Sequence, residues 1–318
     1  MSDIVNIGIC TVDAIARNVD EYPPRGGLRL FDSLTLTTGG NAMNCSVALA
    51  KLGVACDVVI KVGTDTLGDF VISQVKKYGI GAGGIVREEG TSTPFTLVCV
   101  HSDGQRSFIH TMGTNGTFSA RDVDRTLVRK AKFCFVTGTM VMSTFDGEQT
   151  AGVLADAREA GGVTLLDTVY NDAAPQARWQ EVIHPCLPHL DYFIPSQLEA
   201  KAISGRDEPA ERARAFQDLG CRNVVIKCDS DGAFVRTTDG VEETVPAYQV
   251  DDVVDTTGAG DCWSAGFLTG LRAGESIPDA ARLGNAVAAH GIRAPGAATG
   301  VVSLDRVREF QKTTPTRS

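Results

Sequence analysis

From Arg121 onward the chain alternates short apolar runs with helical patterns. "KFCFVTG", "VTLLD", "DYFIP" and "RNVVIKC" read as strands. "GEQTAGVLADAREAGG" and "SQLEAKAISG" carry helical spacing between them. Strands separated by helices of ~10–15 residues predict a mostly parallel sheet with helices on both faces. The same rhythm opens the chain, with "IVNIGIC" as a buried strand and a helix over 41–53. In that helix Met43, Val47, Ala50 and Leu52 are apolar and a glycine closes the last turn. "VACDVVIKVG" then reads as a strand and "LGDFVISQVKKYGI" as a helix. Two more helical stretches, "CWSAGFLTGLRAG" and "DAARLGNAVAAHGI", fall in the last third.

One region breaks the rhythm. "TPFTLVCVHSDGQRSFIH" is two β-rich runs around "HSDG", a hairpin signal. With segments near 12–19 and 30–37 it is expected to form a small separate sheet. A length of 318 residues allows two domains or one large α/β domain. No repeat, low-complexity tract or long linker divides the chain, so a single domain over 1–318 is expected.

Composition narrows the class. A formal net charge of -9 disfavours nucleic acid as a partner. Nine cysteines without a C-x-x-C pair read as reduced thiols of a cytoplasmic protein. "HPCLPH" has no second cluster to complete a zinc site. "MSDIVNIGIC" has no basic leader, and no run reaches the ~18 apolar residues of a membrane span.

"DTTGAGDCWSAG" carries the chemistry. Gly258, Ala259 and Gly260 strip side chains from the start of a helix, where unpaired N–H groups and the positive dipole end attract an oxyanion. Asp261 then sits in the first turn. A carboxylate beside an anion hole makes sense as the acceptor of a proton from a hydroxyl that attacks a phosphate. On "GAGD" alone, an ordinary N-terminal cap explains the residues equally well.

The full "DTTGAGDCWSAGF" and a second stretch, "TTGGNAMNCSVALAKLG", resemble the two signatures of the ribokinase-like, PfkB-type carbohydrate kinases. "GICTVD" near the N-terminus is a third point of likeness. The resemblance covers nearly the whole chain. It implies a ribokinase-like α/β fold in which segments near 12–37 and 93–112 form a β-sheet lid. It implies transfer of phosphoryl from ATP, with magnesium, to a hydroxymethyl group of a small sugar. Asp261 would be the general base, and Gly258, Ala259 and Gly260 the anion hole. Asp13, Gly39, Gly40 and Asn44 would hold the sugar. Lys227, Ser230, Gly232 and Asn285 would face the nucleotide. Glu199 would serve the magnesium region, and Asp255 with the 291–300 loop a potassium site. A homodimer packed through the lid is also implied.

The match departs in places. The family's N-x-x-E is here Ser196-Gln197-Leu198-Glu199, which is also a capping box. Asp229 replaces a glycine in "IKCDSDGAF" and is expected to point to solvent. Lys227 reads equally as a strand-end surface lysine, Asn285 as a packing residue and Arg106 as a solvated hairpin residue. A nucleoside kinase of the same fold is the alternative, with Met43, Met112 and Phe118 lining a more apolar pocket. A silent sugar-binding regulator would lack the base or the anion hole. A dehydrogenase would need G-x-G-x-x-G after the first strand, and a P-loop ATPase G-x-x-x-x-G-K-[S/T]; neither string is present where it is required.

Overall fold

The computed structural model describes residues 2–317. Its strands are β1 (Ile4–Gly8), β2 (Thr11–Arg17), β3 (Ser33–Gly39), β4 (Cys56–Gly63) and β5 (Gly81–Glu88). The hairpin follows as β6 (Phe95–Val100) and β7 (Arg106–Thr111), then β8 (Phe133–Thr139), β9 (Val163–Thr168) and β10 (Tyr192–Phe193). β11 (Asn223–Lys227), β12 (Ala233–Arg236) and β13 (Glu242–Val245) complete the set.

Nine of these form one sheet in the order β13-β12-β11-β10-β9-β8-β1-β4-β5. From β11 to β5 every pairing is parallel. β12 and β13 add an antiparallel edge that the sequence pattern did not announce. The central strands read as unbroken apolar runs because both faces are covered. Successive side chains point to opposite sides. Ile4, Phe135 and Leu165 therefore join one core, with Phe267 and Leu283 from the covering helices. Val5, Ile7, Val136 and Leu166 join the other, with Trp179 and Phe216.

The Ala259–Arg272 helix lies against the Ile277–Gly291 helix. Two glycines make the close approach available. A Cβ on Gly266 would stand 2.8 Å from the Leu283 carbonyl oxygen, and one on Gly270 would stand 2.7 Å from the Ala280 Cα.

The remaining strands form the expected small sheet, in the order β3-β2-β6-β7. Its register places Asp13, Thr37, Thr96 and His110 in one cross-strand row. Arg17, Ser33, Val100 and Arg106 form another row on the same face. The opposite face carries Ala14, Leu36, Leu97 and Ile109. Among the described residues, no helix is long and apolar enough to cross a membrane. All nine cysteines are buried and unpaired.

Candidate active site

Asp261 is held on both carboxylate oxygens. The Ala259–Arg272 helix presents it in its first turn, and it is only 6% exposed. Asn41 and Asn44 reach it from the first turn of the Asn41–Lys51 helix. Asn41 Nδ2 donates to Oδ1 and Asn44 Nδ2 to Oδ2, each at 2.8 Å. Burial pushes the carboxyl up to about 7, while the two amides pull it down. A carboxylate has about four lone-pair sites, so each oxygen can still accept from a substrate hydroxyl. Asn44, expected against the sugar, is also a hydrogen-bond donor to this carboxylate. Asn41 was not singled out from the sequence.

The glycine turn before Asp261 depends on its composition. Gly258 caps the helix with φ +72°, a left-handed conformation. A Cβ there would lie 2.5 Å from the Ala297 Cβ and 2.8 Å from its carbonyl oxygen. The Ala259 N–H is committed to the Thr256 carbonyl at 3.2 Å. The Gly260 and Asp261 amides belong to the first turn, where a helix supplies no partner of its own. A Cβ on Gly260 would sit 3.5 Å from Lys227 Nζ, so an ammonium stands over this turn.

Lys227 is not a surface residue. It ends β11, and its Nζ donates to both oxygens of Asp167 at 2.7 Å. Asp167 lies near the C-terminal end of β9, is 2% exposed, and also accepts from Ser264 Oγ at 3.3 Å. Burial alone pulls the Lys227 ammonium down, but Asp167 and Glu199 outweigh it and hold it above its usual value. Glu199 is buried as well, and burial pushes its carboxyl up. Its Oε2 accepts from Thr168 Oγ1 at 2.9 Å and from the Ser196 amide at 2.6 Å. The second bond closes the capping box of the Gln197–Ser204 helix. Sequence reasoning missed Asp167. The one available signal was its place at the carboxyl end of a parallel strand, where such sheets bind ligands.

Asp13 sits on β2 of the small sheet. Burial pushes it up to about 6, and hydrogen bonds from Thr96 and Thr11 act the other way. A Cβ on Gly39 would collide with Asp13 Oδ2 at 2.1 Å, so the glycine makes room for this carboxylate. Gly40 has φ +86°, and a Cβ there would meet the Cys10 Cα at 2.6 Å. The two glycines thus seat the start of the Asn41–Lys51 helix against the chain after β1.

Arg106 departs from its expected solvated role. Its guanidinium donates to Asp255 Oδ1 at 2.8 Å and to Thr257 Oγ1 at 2.7 Å. Asp255 also accepts from the Thr257 amide at 2.8 Å and the Gly296 amide at 3.0 Å. Burial would raise its carboxyl, but these donors hold it below the usual range. The carboxylate expected to receive potassium is therefore already paired with a cation of the protein.

A cavity of about 650 Å³ gathers most of the remaining residues. Gly258, Ala259, Gly260, Asp261, Glu199 and Lys227 line it. Ser230, Gly232 and Asn285 line it as well. The volume lies within the ~300–1,000 Å³ of small-molecule sites. Asn285 presents little free polarity there. Its Oδ1 accepts from Trp263 Nε1 at 2.8 Å, and its Nδ2 donates to the Val245 and Pro246 carbonyls at 3.0 Å. Asp229 is exposed as expected, with its Oδ2 accepting from Gln197 Nε2 at 2.7 Å. Met43 and Phe118 are 0% and 1% exposed and belong to the cores, not to a pocket.

Comparison with known proteins assigns the family. The chain matches the model of the pfkB family carbohydrate kinases over residues 1–303 and belongs to that family. It is a carbohydrate kinase with the ribokinase-like fold. The 2-dehydro-3-deoxygluconokinase of Bacillus subtilis is 28% identical over 291 residues, 90% of each chain. The 5-dehydro-2-deoxygluconokinase of Clostridium perfringens is 26% identical, covering 98% of this chain and 93% of that one. In fold, the chain is similar to Arabidopsis thaliana ribokinase, solved with ribose and ATP. The TM-score is 0.84 at 22% identity, over 98% of this chain and 99% of that one.

Proposed function

We propose that the protein transfers the terminal phosphoryl group of ATP to a hydroxymethyl group of a small sugar or sugar derivative, with Asp261 as general base. The observation that carries this reading is the position of Asp261. It is a buried carboxylate beside a side-chain-free helix start, held on both oxygens by neutral amides and opening on the cavity. Such a group can take a proton from a hydroxyl as that hydroxyl attacks phosphorus.

The sugar lies between Asp13, the backbone at Gly39 and Gly40, and Asn44. The small sheet acts as a lid that excludes water, so that ATP is not hydrolysed. The Gly258, Gly260 and Asp261 amides receive the oxygens of the transferred group, and Lys227 Nζ adds positive charge beside them. Ser230 and Gly232 flank the nucleotide. Asn285 shapes the far end of its pocket through the Trp263 bond. Magnesium fits the residues present. The hydrogen bonds that Glu199 accepts from Thr168 Oγ1 and the Ser196 amide fall on Oε2, which leaves Oε1 for the ion or one of its waters. When bound, the ion neutralises charge on the phosphate oxygens.

The names of the two curated relatives put keto-deoxy sugar acids first among candidate substrates. The nucleoside reading loses support because Met43 and Phe118 are core residues. Leu34, Leu36 and Ile109 are exposed on the outer face of the lid, and we assign that face to a second copy of the chain. The test is ADP release with Mg-ATP across sugar acids, pentoses, hexoses and nucleosides. A sugar or sugar acid should turn over at micromolar to millimolar concentration. Turnover restricted to nucleosides would overturn the reading.

A further inference from the structure

Asp255 fastens three parts of the molecule at one carboxylate. Arg106 comes from the lid, the Thr257 amide from the turn that leads into Gly258, and the Gly296 amide from the loop beyond the Ile277–Gly291 helix. The turn and the loop are already one piece. The Val254 and Asp255 amides both donate to the Ile292 carbonyl, and Gly258 packs on Ala297. Arg106 joins the lid to that piece through two short bonds, one to Asp255 and one to Thr257 Oγ1. Neither end is a loose surface group: the side chains are 27% and 11% exposed. The register also puts Arg106 on the same face of the lid as Asp13.

Charge decides what else can sit there. A monovalent cation bound to Asp255 would lie within a few ångströms of the guanidinium and be repelled by it. The same loop meets a second protein cation. Lys51 Nζ donates to the Ala298 carbonyl at 2.9 Å and the Thr299 carbonyl at 2.8 Å. With Arg106 and Lys51 so placed, the residues present therefore do not fit a potassium site.

We propose that Arg106 is a positioning residue that takes the place of a monovalent cation at Asp255, so that closing the lid itself braces the glycine turn. The consequence is order in the reaction: the turn that receives the phosphoryl group gains its tie to Arg106 only when the lid is shut. This rests on the assignment of the 258–260 turn to the transferred group.

The test compares wild type, Arg106→Lys and Arg106→Met in tetramethylammonium chloride and in potassium chloride at equal ionic strength. Wild-type kcat should agree within about twofold in the two salts. Arg106→Met should lose about tenfold in kcat in tetramethylammonium, the scale of a lost charged hydrogen bond, with little change in sugar KM. Potassium should restore part of that loss, and Arg106→Lys should keep most of the activity in either salt. Severalfold activation of wild type by potassium overturns the proposal whatever the variants do. So does an Arg106→Met enzyme with unchanged kcat, or one whose loss potassium does not touch. Asp261→Asn, run alongside, separates the two claims. If it stays active, the site assignment fails; if it is dead while Arg106→Met is normal, only this inference fails.

Discussion

Asn44 Nδ2 donates to Asp261 Oδ2 at 2.8 Å, across 217 residues of chain. With the matching bond from Asn41, it ties the first turn of one helix to the first turn of another. The acid group of the site is thereby oriented without a cationic partner in direct contact. A neutral amide favours the ionised form less than an ammonium would, and burial pushes the pKa to about 7. That value is suited to a base working near neutral pH.

The pH dependence follows from the sign of that shift. Asp261 must be ionised to accept a proton, so kcat/KM should fall as pH drops through about 7. Asp13, at about 6, lies at the proposed sugar site, and its protonation should steepen the fall below pH 6. Asn41→Leu removes one donor to the charged form. It should move the fall near pH 7 to higher pH by about one unit. Steady-state rates from pH 5 to 9 check both statements.

Stability carries the same sign in another form. Between its unfolded value of 3.8 and the folded value of about 7, Asp261 binds more protons in the folded state than in the unfolded one. Its contribution to stability is therefore lost as pH rises through that window. Asp261→Asn does not titrate. The melting temperature of this variant relative to wild type should rise between pH 5 and pH 8, as read by calorimetry at both pH values.

Removing Lys227 should be severe for a different reason. Lys227→Met leaves Asp167 and Glu199 buried without their counter-ion, a loss of about 3–5 kcal/mol. Lys227→Met combined with Asp167→Leu should recover much of that stability, because no unpaired Asp167 remains. It should not recover turnover, since the cation over the glycine turn is still missing. Denaturant melts and kcat measurements on the single and double variants separate the two effects.

Gly258→Ala tests the turn itself. The left-handed φ disfavours a side chain by roughly 1 kcal/mol, and the new Cβ would also strike Ala297. The turn should shift, with kcat reduced more than sugar affinity. Gly53 has a positive φ as well but open space around its Cβ position. Gly53→Ala should therefore cost stability and leave kcat near wild type.

The alternation of strands and helices was legible because the central strands are buried on both faces and keep continuous apolar runs. The short antiparallel edge of β12 and β13 escaped notice. Each strand is only four residues long, and Glu242, Glu243 and Thr244 face solvent. The glycine turn and Asp261 stood out as a candidate site because they are adjacent in the chain, and they line the same cavity. Asp167 and Arg106 were not, because their partners are 60 and 149–151 positions away and only the fold brings them together. Met43 and Phe118 failed for a third reason: an apolar residue reads the same in a core as in a pocket.

The central claim is that Asp261 takes the proton from the attacking hydroxyl. The direct measurement is Asp261→Asn, with single-turnover phosphoryl transfer and sugar affinity by calorimetry determined on the same preparation. The rate should be lower by about 10²–10⁴ with sugar affinity within a few fold of wild type. A rate close to wild type, or a loss of sugar binding as large as the loss of rate, would contradict it.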